Sequence, residues 1–123
     1  MNVVPANHFG MTVGFVIEAE GKQVYFAGDT FYGSFMGKIG ERPKLALAMM
    51  PVTTFLIPMT MGNSGALKAA DKLGAPAIMP IHEALPQGVI RPKETVETFK
   101  AQLKESSSKA HVIALKEGAS TVI

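Results

Sequence analysis

The chain contains no cysteine. Disulfides and thiolate metal sites are thereby excluded, and any metal must be held by His, Asp or Glu. A basic cluster is missing too: 12 Lys and Arg are scattered among 10 acids, for a formal net charge of +2. Nucleic-acid binding, which needs a basic stripe or patch, is not expected. Nor is there a usable membrane span. Leu45 to Leu67 carries no charge, but Pro51, Pro58, Gly62, Asn63 and Gly65 break the continuous helix that lipid demands. Residues Met1 to His8 have neither a basic n-region nor an apolar h-region, so a cytoplasmic protein is expected. No internal repeat or linker divides the sequence, and 123 residues read as a single domain. With 47% hydrophobic and 18% charged residues, the composition is that of a globular chain.

What is present centres on Val24 to Thr30. Val24, Tyr25 and Phe26 suit a strand, and Gly28-Asp29-Thr30 suits the turn after it, so a carboxylate stands at a strand's carboxyl end. Thr12 to Glu20, then Gly21-Lys22, then Gln23 to Ala27 predict a hairpin. Phe31 to Ile39 reads as a loose helical turn or a mobile loop. Leu45 to Met50 is an apolar run between Pro43 and Pro51, the pattern of a strand covered on both faces. Ser64 to Leu73 is helical by periodicity, with Asn63 or Ser64 as its cap and Gly74 as its stop. Ala77 to Ile81 is a second buried strand, making a βαβ-like unit with a parallel pair. A further helix is expected over Pro92 to Glu105, and a closing hairpin from His111 to Leu115 and Ser120 to Ile123. The eight methionines are read as adaptable core filling.

His8, Asp29 and His82 each fall at or just after a predicted strand end. Two imidazoles and a carboxylate suit zinc, manganese or iron, and a carboxylate can bridge two ions about 4 Å apart. Each also has a plainer reading: Asp29 as the N-cap of the Phe31 turn, His82 as a loop histidine, His8 as a terminal one. His111 has no acid or second histidine near it in sequence and is given no role.

Taken in order, these segments resemble the metallo-β-lactamase-fold hydrolases, nearest to the small metal-dependent hydrolases similar to ascorbate-6-phosphate lactonase. Pro5-Ala6-Asn7-His8, Gly14 to Ile17, the Gly-Asp-Thr at 28–30, the Leu45–Pro51 run, Thr60-Met61-Gly62 before an alanine-rich helix, Ile78 to His82 and Glu117-Gly118 carry the resemblance. It implies an α/β fold that is half of an αββα sandwich: a mixed sheet with helices on one face, forming the C-terminal half of the family's fold and beginning at Met1. It implies that His8 is the third histidine of a first metal site, Asp29 the acid bridging both ions, and His82 the outer histidine of the second. The family's His-x-His-x-Asp-His motif does not occur in this chain. Since catalytic zinc usually has about three protein ligands, an incomplete zinc or manganese site is expected, inactive in a monomer, and no catalytic side chain is assigned. Lys44 stands where the family commonly has an acid, and Glu83-Ala84-Leu85-Pro86 replaces an aromatic segment. The uncovered sheet face of such a half would associate, as a homo-oligomer or with a separately encoded N-terminal half. The competing expectation is a non-catalytic homodimeric α/β module that keeps the scaffold without metal chemistry.

Overall fold

A computed structural model describes residues 1–8, 12–55, 58–81 and 94–123. Their strands form one six-stranded sheet whose spatial order equals the sequence order. β1 (Asn2–Pro5), β2 (Val13–Ala19) and β3 (Lys22–Phe26) pair antiparallel. β4 (Leu45–Pro51), β5 (Ala77–Ile81) and β6 (His111–Val112) continue parallel to β3. The β2–β3 turn is Glu20-Gly21, with φ of 52° and 75°. Two consecutive positive φ values give the twist that a tight two-residue hairpin needs.

α1 (Phe35–Gly40), α2 (Asn63–Leu73) and α3 (Val96–Glu105) occupy the three successive parallel crossovers. Each crossover steps to the next strand in the same direction, and right-handed connections taken that way place every helix on one face. Burial agrees: Met36 and Ile39 of α1, Ala66 and Leu73 of α2, and Phe99 and Leu103 of α3 share one core with Val4, Val16, Tyr25, Ala48, Met50 and Ile78 of the strands. Tyr25 is fully buried there with no hydrogen-bond partner for its hydroxyl among the described residues, and desolvation pushes its pKa well above the ordinary phenol range.

Among the described residues the opposite face has no helix. Val3, Phe15, Phe26, Met49 and Met79 lie in register across β1 to β5 on that side. Val3 is 65% and Phe26 37% exposed. The half-sandwich expected from the sequence is thus the observed architecture, with an apolar row on its uncovered side. Among the described residues no helix is long and apolar enough to cross a membrane.

Several boundaries differ from expectation. The Phe31 to Ile39 stretch contains a helix, α1, with its start at Phe35. The α2 cap is Gly62, not Asn63 or Ser64, because Asn63 is buried as the first helical residue; Gly74 does end the helix, at φ 61°. α3 starts at Val96 rather than Pro92, where Thr95 and Thr98 close a reciprocal capping box. The closing hairpin is not formed. β6 is two residues long, and Ile113 N–H donates to the Ile78 carbonyl at 2.8 Å. The next residue of β5 facing that side is Pro80, which has no N–H to continue the ladder. The turn itself is present, with Ala119 N–H bonded to Lys116, but no strand follows; instead the Ile123 carbonyl accepts from the Lys22 ammonium.

Two glycines of α1 make opposite predictions. A Cβ at Gly37 would meet nothing within 4 Å, whereas at Gly40 it would fall 2.1 Å from the Lys72 carbonyl oxygen and 2.8 Å from that of Leu73. Gly37→Ala should stabilise the fold by about 0.5–1 kcal/mol, through lower backbone entropy in the unfolded chain. Gly40→Ala should cost about 2 kcal/mol or more, by forcing α1 off α2. Urea unfolding of both variants reads this directly; equal effects would contradict the close backbone crossing.

Candidate functional site

Asp29 follows β3 at the carboxyl edge of the parallel strands. The β3–β4 ladder runs on through Ala27 N–H to Met49 O at 2.8 Å, and Gly28 then takes φ 62° to turn the chain out. Gly14 across the sheet permits this tight packing, since a Cβ there would be 3.0 Å from the Phe26 carbonyl oxygen. Asp29 ends half-buried. The reading of Asp29 as a helix cap is overturned, because α1 starts only at Phe35 with Ser34 as its N-cap.

The segment after β1 is tied to the segment after β3. Asn7 N–H donates to Thr30 Oγ1 at 2.8 Å, and Phe31 N–H donates to the Asn7 carbonyl at 2.6 Å. The half-buried His8 then has its ring centroid 6.3 Å from that of Phe31, at 41°. His8 and Asp29 therefore stand on adjacent, cross-linked loops. Thr30 also reaches a third segment, since its carbonyl accepts from Met61 N–H at 3.0 Å.

That third segment is built from buried polar residues. Thr54 Oγ1 accepts from the amides of Met59 at 2.9 Å and Thr60 at 3.2 Å, while the Thr60 hydroxyl donates to the Thr53 carbonyl at 3.1 Å. Asn63, 3% exposed, donates through Nδ2 to the carbonyls of Val52 at 2.8 Å and Thr95 at 3.3 Å, and its Oδ1 accepts from the Thr98 hydroxyl. Glu94 Oε1 accepts from Asn63 N–H at 3.3 Å, placing a carboxylate at the positive end of α2. Gly62 is what lets it approach, since a Cβ there would be 2.8 Å from the same oxygen.

His82 and the Glu83–Pro86 segment lie outside the described residues; Ile81, which closes β5, is paired with Pro51 at the same carboxyl edge. Among the described residues no three His, Asp or Glu side chains come together as a metal cluster. The chemistry of the donors that are present, one imidazole and one carboxylate without thiolate, fits a zinc- or manganese-type ion. Lys44 is exposed, and its carbonyl accepts from Gln23 N–H at 2.8 Å. His111 starts β6 at the amino edge of the parallel strands, away from Asp29. The cavity of about 490 Å³ that it lines with Glu97, Lys100, Leu103 and Val112 includes neither His8 nor Asp29. The sequence pattern missed Thr30 and Glu94 and misread Asn63. Only the run of buried threonines around Pro58, unusual in so apolar a stretch, hinted at a hydrogen-bonded loop.

A mixed sheet covered on one face, with imidazole- and carboxylate-bearing loops at its carboxyl edge, defines the class: this is half of a metallo-β-lactamase-type sandwich. The sequence profile of the beta-lactamase superfamily domain matches residues 1–82, and the chain belongs to that family. It is similar to the "UPF0173 metal-dependent hydrolase" of Korarchaeum cryptofilum, 37% identical over 116 residues, which are 94% of this chain and 49% of that protein. Igni18, a metallo hydrolase from Ignicoccus hospitalis, superposes with a TM-score of 0.78 at 27% identity over 95% of this chain and 49% of its own. The metallo-beta-lactamase fold protein YhfI of Bacillus subtilis shares the fold at TM-score 0.72 and 16% identity, over 95% of this chain and 46% of its own. The chain thus spans about half the length of these relatives, 49% of the Korarchaeum protein.

Asn63 holds this edge together, and Asn63→Ala should expose its cost. The Val52 and Thr95 carbonyls lose their Nδ2 donor inside the protein, so the variant should be destabilised by about 2–4 kcal/mol in a urea titration. A loss below about 0.5 kcal/mol would show that solvent already satisfies these groups.

Proposed function

We propose that this chain supplies part of the dinuclear metal centre of a metal-dependent hydrolase acting on an ester, lactone or phosphoester. In that reading His8 and Asp29 would be metal donors, with His82 as a further donor. The observation that carries it is the double link through Asn7, Thr30 and Phe31, which sets the His8 and Asp29 loops side by side at the sheet's carboxyl edge. A bound divalent ion would supply Lewis acidity and a water of lowered pKa. The chain's own part is to hold the ion: the His8 ring and the Asp29 carboxylate would offer it lone pairs, while the bonds of Asn7 to Thr30 and Phe31 fix the loops that carry them. The similarity to metal-dependent hydrolases supports the reaction class.

Completion of the site requires a complementary half, carried on the same polypeptide or on another, whose sheet covers the apolar row from Val3 to Met79. Relatives that are about twice as long support this, since the chain covers 49% of Igni18. The second reading, a homodimeric module without metal chemistry, draws on the same row, which a two-fold axis could pair with its own copy in a second chain.

Calorimetric titration of the purified chain with Zn2+ or Mn2+ separates the two. The hydrolase reading expects weak, saturable binding that falls about tenfold or more in both His8→Ala and Asp29→Ala. Binding that is absent, or indifferent to both substitutions, would leave the homodimeric module. Association is tested independently by light scattering. The parent chain should be larger than a monomer, and Phe26→Lys, in the middle of the exposed row, should shift it to monomer with the helix-side core intact.

A further inference from the structure

We infer that Thr30 is a positioning residue of the metal centre: its buried hydroxyl sets the distance between the His8 and Asp29 loops. This rests on the hydrolase reading above. Thr30 is fully buried, although it follows a half-buried Asp29 and precedes a half-buried Phe31. Its Oγ1 accepts from Asn7 N–H at 2.8 Å and lies 2.8 Å from the Phe31 carbonyl, to which its single hydrogen is donated; the Asn7 carbonyl, at 3.4 Å, is the poorer acceptor. The single proton and one lone pair are thus used inside the protein. Asn7 is the residue before His8, and Thr30 the residue after Asp29. One hydroxyl therefore joins the immediate neighbours of two candidate donors from strands that are separated in the sheet by β2.

The Thr30 carbonyl, accepting from Met61 N–H, anchors the same unit to the segment that leads into α2. The unit is held from both sides and has little room to adjust. A bridging carboxylate and an imidazole must meet an ion at fixed distances, so slack between their loops is felt as lost affinity. A hydroxyl serving only the fold would show itself in stability alone.

The test compares Thr30→Val, which keeps the shape and deletes the hydroxyl, with Thr30→Ser, which keeps the hydroxyl, and with Phe99→Leu, a core change on α3 remote from this edge. Each full chain is titrated calorimetrically with Zn2+ and melted without metal. Thr30→Val should weaken Zn2+ binding about tenfold or more, Thr30→Ser should stay within about threefold of the parent, and Phe99→Leu should lower the melting temperature without changing the affinity. Parent-like affinity in Thr30→Val overturns the inference, and so does a loss in Phe99→Leu matching that of Thr30→Val. Should Thr30→Val fail to fold, amide exchange of the parent decides. By linkage, Zn2+ should slow exchange at Asn7 and Phe31 while leaving the β2–β3 amides unchanged, and unchanged exchange at Asn7 and Phe31 overturns the inference. A parent chain with no binding dependent on His8 and Asp29 is a different result: it removes the hydrolase reading, and this inference with it.

Discussion

The handedness of the crossovers is the constraint on which the rest of this structure depends. Three parallel steps, β3 to β4, β4 to β5 and β5 to β6, advance in one direction, and the right-handed rule then leaves the helices only one face. The core follows from this, since Tyr25, Ala48, Met50 and Ile78 point toward the helices and are buried. The uncovered face follows equally. Phe26, Met49 and Met79 alternate with those core residues and so face away from α1, α2 and α3. The same parallel direction brings the carboxyl ends of β3, β4 and β5 to one edge, where ligand-bearing loops converge in sheets of this kind.

At that edge the fold relies on polar groups rather than on apolar burial. Thr30, Thr53, Thr54, Thr60 and Asn63 are all buried, and each uses side-chain or main-chain groups to satisfy a loop that forms no ladder. Burying such groups is favourable only when they are bonded, and leaving one unbonded costs more than the bond itself contributes. The loops are consequently specific in shape. The Asn63 amide fixes the start of α2 to the end of β4 and to the cap of α3, so one side chain couples three elements that carry the site's surroundings.

The elements were largely legible. The apolar run at Leu45, the alanine-rich period after Ser64 and the short strand at Ala77 each announced themselves, because buried strands and amphipathic helices impose a local period. Misreadings occurred where a partner distant in sequence decided the local outcome. Asn63 looks like a cap by itself, yet bonds to Thr95 and Thr98 turn it inward. The last hairpin has suitable residues, but Pro80 on the neighbouring strand withholds the amide that a longer β6 would need. Asp29 stood out by residue type at a strand end, whereas the bonding of Thr30 beside it depended on Asn7, 23 residues away.

By itself, the sequence determined the class of fold and the absence of thiolate chemistry, and it singled out His8 and Asp29 as candidates. These are consequences of composition and local period, which every segment carries within itself. Only the tertiary structure decided that the loops bearing His8 and Asp29 are joined, that one hydroxyl joins them, and that an apolar row is left on one side of the sheet. Those outcomes come from crossover handedness and from hydrogen bonds between residues far apart in the chain, and neither is encoded in any single stretch.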